Sequence, residues 1–259
     1  MLFSWLRERR RAQLLAEPFP AQWLPYLEQN VVHYPHLSPT EQATLRDRLR
    51  IFVAEKNWEG CGGLTITDEM QVTIAAQASL MALGLEGEPF RNVESILVYP
   101  AGYEVREERW QEGFSIAGMS ARLGEAHYRG PVILSWAEIK DDVRHAGQGN
   151  NLIWHEFAHQ IDMLDRSTNG TPPLEDQAER LRWHEVMTAE FEQLRSDARN
   201  GRATVLDTYG AQNEAEFFAV ATECFFDAPV ELRDGHPQLY ELLKDYYHQD
   251  PAARVRTKG

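Results

Sequence analysis

The chain has 259 residues, 43% of them hydrophobic and 25% charged, with 26 basic against 40 acidic residues and a net charge of −14. This length and composition describe a globular protein able to bury a full core, and the acidic balance excludes the basic footprint that direct nucleic-acid binding requires. No stretch reaches the ~20 apolar residues of a membrane span, and the arginines of MLFSWLRERRRAQLL follow a short apolar start, the reverse of a secretory signal, so no membrane partner and a cytoplasmic location are expected.

The two cysteines, Cys61 and Cys224, form no CxxC pair, which fits a reducing compartment, and both read as buried or incidental thiols. In chain order, residues 1 to 30 look helical, and HYPHLSPTEQ leads through a Pro-Thr-Glu start into a second helical stretch, TLRDRLRIFVAEK. Residues 1–60 therefore read as a front helical layer, and 61–259 as the rest of one domain. The glycines of WEGCGGLTIT mark a turn. A helix then opens with Thr67 or Asp68 as its cap, apolar at Val72, Ala75, Ala76, Leu80 and Leu83, and core on most sides.

Two strands are predicted over 93–105 and 131–139, separated by a glycine-rich, charged stretch that reads as a hairpin excursion. AEIKDDVRHAGQGN bridges to LIWHEFAHQIDMLD. The loop RSTNGTPPLEDQ breaks helix before a long helix over about 174–199, and helices in AQNEAEFFAVATECFFDAP and HPQLYELLKDYYHQD close the chain. The fold class is α+β, mostly helical, with a small sheet.

The chemistry concentrates in LIWHEFAHQID. On a helix, His155 and His159 lie about 40° apart and one turn from each other, so both rings can reach one ion. Ile153, Phe157, Ile161 and Leu164 fall on the opposite side, which anchors the helix by its back and turns the histidine pair, with Glu156 beside it, toward a cleft. Two neutral imidazoles and a carboxylate suit zinc with one position left for water, and an adjacent glutamate suits a general base.

The third ligand must come from elsewhere. On a helix beginning at Asn213, Glu216 and Glu223 share a face opposite Phe218, Ala221 and Phe225, and either qualifies by spacing. Asn213-x-x-Glu216 is also a capping-box pattern, which would send the Glu216 carboxylate to a backbone N–H instead. Asp162 reads two ways, as acceptor for the second N–H of a ligand histidine or as a backbone acceptor near the helix end. Glu223 is open to a similar supporting role. His145 and His184 lack paired spacing and read as surface or packing residues.

The segments GGLTITDEMQVTIAAQASLMALGL, ILVYP, VILSW, GNNLIWHEFAHQID, NGTPP and AEFFAVATECFF resemble the Mlc titration factor A family of zinc metallopeptidases, also called DgsA anti-repressors. Their catalytic core is similar to the lethal-factor peptidase of a bacterial toxin. The resemblance implies a compact zincin-like domain whose VILSW edge strand borders the active-site cleft. It implies one zinc per chain on His155, His159 and Glu216, with Glu156 as base. It also implies Tyr209, seven residues before the ligand glutamate, as oxyanion donor. The implied activity is aminopeptidase-like, on small peptides, with an Mlc-like transcriptional repressor as a partner. The alternative is a non-catalytic anti-repressor whose zinc site is structural or vestigial.

Overall fold

The computed structural model describes residues 2–101 and 130–255, with side chains from Trp5 onward. The chain begins with α1 (Leu2–Ala16) and α2 (Leu24–Asn30). Pro18 and Pro20, which cannot donate to a helix ladder, separate them. Ser38 opens α3 (Pro39–Glu55) with a full capping box: its hydroxyl accepts from Glu41 N, and the Glu41 carboxylate accepts from Ser38 N at 2.8 Å.

A short strand, β1 (Asn57–Gly60), follows, where the sequence predicted only a turn. Its four residues, Asn-Trp-Glu-Gly, carry neither alternation nor an apolar run, so periodicity could not reveal it. Thr67 caps α4 (Asp68–Met81), which is buried along most of its length, as expected. Then β2 (Ser95–Tyr99) and β3 (Val132–Ser135) complete a three-stranded sheet of order β1-β2-β3. Both pairings are parallel, with Trp58 opposite Ile96 and Ile96 opposite Val132.

Both strands are shorter than predicted. β3 ends because the Ser135 hydroxyl accepts from Glu138 N and starts α5 (Trp136–Arg144), so WAEI is helix rather than strand. The stretch between β2 and β3, with the hairpin expected in it, lies largely outside the described residues. β3 is, with β1, an edge strand among the described residues and packs beside α6 (Leu152–Asp162).

The remainder is helical: α7 (Gln177–Arg199), α8 (Glu214–Asp227), α9 (Pro229–Gly235), α10 (Pro237–Tyr247) and α11 (Pro251–Val255). The fold is α+β and mostly helical, with one hydrophobic core running from Leu27 to Ala252. Within it, α6 and α8 pack directly on each other. None of the helices among the described residues is long and apolar enough to cross a membrane.

Candidate metal centre

Asn151 caps α6, its side-chain oxygen accepting from Trp154 N at 3.0 Å. Phe157 anchors the helix back, with its ring centroid 4.7 Å from Phe90 and 5.8 Å from Phe52. Trp154 donates its indole N–H to Gln77 O on α4 at 3.1 Å. These contacts fix the rotation of α6 and hence the direction of His155 and His159.

Asn213 caps α8 in the same way, accepting from Glu216 N at 3.0 Å. The Glu216 carboxylate does not close a capping box. Its Oε2 lies 3.1 Å from His155 Nε2 and 3.5 Å from His159 Nε2, and the two Nε2 atoms are 3.2 Å apart. Donor atoms about 2.0–2.2 Å from a tetrahedral zinc stand roughly 3.3–3.6 Å from one another, so the observed triangle fits such an ion within a few tenths of an ångström. Imidazole nitrogens with one carboxylate oxygen suit a borderline transition metal better than calcium or magnesium.

All three side chains are buried, and among the described residues Glu216 Oε2 makes no well-formed hydrogen bond. Burial pushes the Glu216 carboxyl up, but the two imidazoles outweigh it and hold it at about 2. Burial opposes a charged His155, yet Glu216 and Glu223 on either side raise its pKa well above the ordinary value.

Glu223 occupies a different place from Glu216. Its Oε1 lies 2.7 Å from His155 Nδ1, and its Oε2 accepts from Asn151 N at 2.6 Å. A His155 Nδ1–H donated to Glu223 would leave the lone pair of Nε2 for a metal at the centre. Asp162, fully buried, accepts from Gly170 N at 2.9 Å through Oδ2. Its Oδ1 and His159 Nδ1 both lack a hydrogen-bond partner among the described residues. Burial raises the Asp162 carboxyl to about 6 against the opposing Gly170 amide and His159.

Gly170 lies where the loop after α6 meets the start of α8. Its φ is +71°, and a Cβ there would meet Glu214 O at 2.2 Å, so the NGTPP loop passes too close to the start of α8 for any side chain. Its carbonyl accepts the Trp183 indole N–H at 3.0 Å.

Glu156 is buried on α6. Among the described residues it lines a cavity of about 210 Å3 together with Glu138, Asp142, Asn151, His155 and Glu223. Asp142 accepts from Leu152 N at 2.8 Å. Burial, with the neighbouring carboxylates of Glu223, Glu138 and Asp227, raises it to about 7. Tyr209 stands half-buried in a short turn, Thr208–Ala211, its ring centroid 5.9 Å from that of His155. A larger groove of about 630 Å3 around Trp183 and Tyr246 contains none of these residues.

Of the remaining candidates, His145 and His184 are exposed, the first beside Asp141. Cys61 is half-buried, and burial pushes the Cys224 thiol up to about 12, which disfavours the thiolate. Sequence reading passed over Asp227, whose carboxylate accepts from Gly147 N and Gly149 N, both at 2.8 Å. The signal was available: residues 216, 223 and 227 fall on one helical face.

Two histidines one turn apart, a glutamate after the first, and a carboxylate from a second helix define a centre of the metallopeptidase kind. The chain belongs to the glucose-regulated metallo-peptidase M90 family, whose profile matches residues 4–248. It is 39% identical over 249 residues to uncharacterized protein slr2042 of Synechocystis, covering 95% of this chain and 90% of the relative. It is 32% identical over 267 residues to Mlc titration factor A of Serratia proteamaculans, covering 98% and 95% of the two chains. The Klebsiella pneumoniae protein of that name is 32% identical over 228 residues, covering 86% and 85%.

Proposed function

We propose that this protein is a cytoplasmic zinc-dependent peptidase, aminopeptidase-like on small peptides, holding one zinc per chain on His155, His159 and Glu216. The observation that carries this reading is the triangle of Nε2, Nε2 and Oε2 atoms with sides of 3.2, 3.1 and 3.5 Å, buried next to Glu156. Bound zinc supplies Lewis acidity, lowering the pKa of a water toward ~7 and polarising a peptide carbonyl.

The side chains do the rest. Glu223 keeps the proton of His155 on Nδ1 and so fixes the tautomer and the ring plane. Glu156 takes the proton of the attacking water on a carboxylate oxygen and returns it to the leaving amine. The Tyr209 phenol donates its O–H to the carbonyl oxygen as negative charge develops there. The acid-lined cavity beside His155 and Glu156 gives the substrate its place.

The test is metal content per chain with hydrolysis of short peptides before and after chelation and zinc return. Near-stoichiometric zinc with activity lost and restored is expected. A double variant His155→Ala/His159→Ala that retains zinc rejects the site.

A second reading draws on the relatives named Mlc titration factor A: this chain binds an Mlc-like transcriptional repressor, with hydrolysis secondary or absent. Glu156→Gln separates the two. Repressor binding retained without turnover makes sequestration independent of catalysis.

A further inference from the structure

The loop that delivers α6 to the metal centre, His145 to Asn151, is held by carboxylates from outside it. Asp227 Oδ2 accepts from Gly147 N and from Gly149 N, each at 2.8 Å, and the Gln148 amide also faces this carboxylate. Gly147 and Gly149 both take left-handed φ values, +90° and +86°. This backbone turns both glycine amides onto one oxygen. The result is an anion nest of the kind that elsewhere cradles a free anion, here filled by the protein's own side chain. Next along the loop, Asn151 N donates to Glu223 at 2.6 Å and Leu152 N to Asp142 at 2.8 Å.

Asp227 and Glu223 share α8 with Glu216, and all three project from one face. A single helix therefore carries a metal-site carboxylate at its first turn. It carries the acceptor for His155 in its middle. At its last turn it carries the anchor for the loop in front of that histidine.

We infer that Asp227 is a positioning residue for the metal centre: by filling the nest at 147–149 it sets the register of α6 on α8, and with it the distance between His155 and Glu216. This rests on the zinc-site reading above. Asp227 touches none of the three ligand residues, and it works through the loop backbone.

The experiment measures zinc affinity by chelator competition, and the melting temperature of the metal-free protein, for wild type, Asp227→Ala, Asp227→Asn and Phe225→Leu. Phe225 is buried on the opposite side of α8 against Tyr240 and Tyr247, so its variant loosens the same helix without touching the loop. Asp227→Ala is expected to weaken zinc binding roughly 10-fold, the lower end of the range for supporting residues around metal sites. Asp227→Asn keeps a carbonyl acceptor, so it recovers part of that loss; being nearly isosteric, it carries the test if the alanine variant fails to fold. Phe225→Leu should lower the melting temperature and leave zinc affinity unchanged.

Wild-type zinc affinity in both Asp227 variants overturns the positioning role alone, and so does an equal loss of affinity in Phe225→Leu at matched melting temperature. Wild-type protein that takes up no zinc overturns the metal reading, and this inference with it.

Discussion

The two ends of α8 carry buried carboxylates eleven residues apart, and they differ in what surrounds them. At the first turn, Glu216 Oε2 lies 3.1 and 3.5 Å from two ring nitrogens. At the last turn, Asp227 Oδ2 receives two backbone N–H groups at 2.8 Å. Charge follows the partner. The amides do not offset burial, and Asp227 is pushed up to about 6, whereas the imidazoles hold Glu216 at about 2. Neutral, fixed donors saturate a carboxylate and make it a structural anchor. Titratable ring nitrogens, which can exchange a proton for a metal ion, leave it able to share a cation. Glu223, between the two, has one partner of each kind.

Substitutions along this face separate the two kinds of end. Glu216→Gln should have the largest effect, lowering zinc affinity on the order of 10³-fold, since one of three protein ligands is lost. Zinc titration against a chelator reads it, and an unchanged affinity erases the distinction between the ends. Glu156→Gln should keep zinc stoichiometric and cut peptide turnover by about 10²–10⁴, the contribution of a positioned general base. Turnover near wild type rejects the base. Tyr209→Phe should retain metal and fold while slowing turnover by about 10²–10³. A rate unaffected by the missing hydroxyl returns the ring to packing.

Glu223→Gln keeps an acceptor for one of its two partners and should weaken zinc by about 10–100-fold. If it loses more metal than Glu216→Gln, the roles of the two glutamates are exchanged. The smallest effect concerns Asp142, whose folded pKa of about 7 lies above its ordinary 3.8. A raised carboxyl binds its proton more tightly folded than unfolded. Its contribution is therefore fully present below about 3.8 and lost as pH rises through about 7. The melting temperature of the metal-free protein should fall by a few degrees more between pH 5.5 and 8 in wild type than in Asp142→Asn. Parallel curves reject the shift.

Long periodic elements were legible in the sequence. The Pro-Thr-Glu start of α3, the caps at Thr67 and Asn213 and the apolar back of α6 follow local rules and stand where those rules put them. β1 was not legible, because a four-residue parallel strand is stabilised by its neighbour and not by its own pattern. Parallel order and the early end of β3 at Ser135 depend on contacts across the sheet and on one hydroxyl. At the site, spacing alone left Glu216 and Glu223 equivalent, since both project from one helical face. Only the packing angle of α6 on α8 gives one the Nε2 edge and the other the Nδ1 edge of His155. For Asp162 the hydrogen bond seen among the described residues comes from a backbone amide eight residues on.

The Gly170 junction has a mirror at the opposite end of the helix pair. Asp162, at the end of α6, grips the loop that abuts the start of α8, while Asp227, at the end of α8, grips the loop that begins α6. Each helix is thus tethered at its far end to the other's approach, like two rods lashed at both tips. Fraying one tip would release the other helix's anchor, so local opening of the pair is expected to be cooperative.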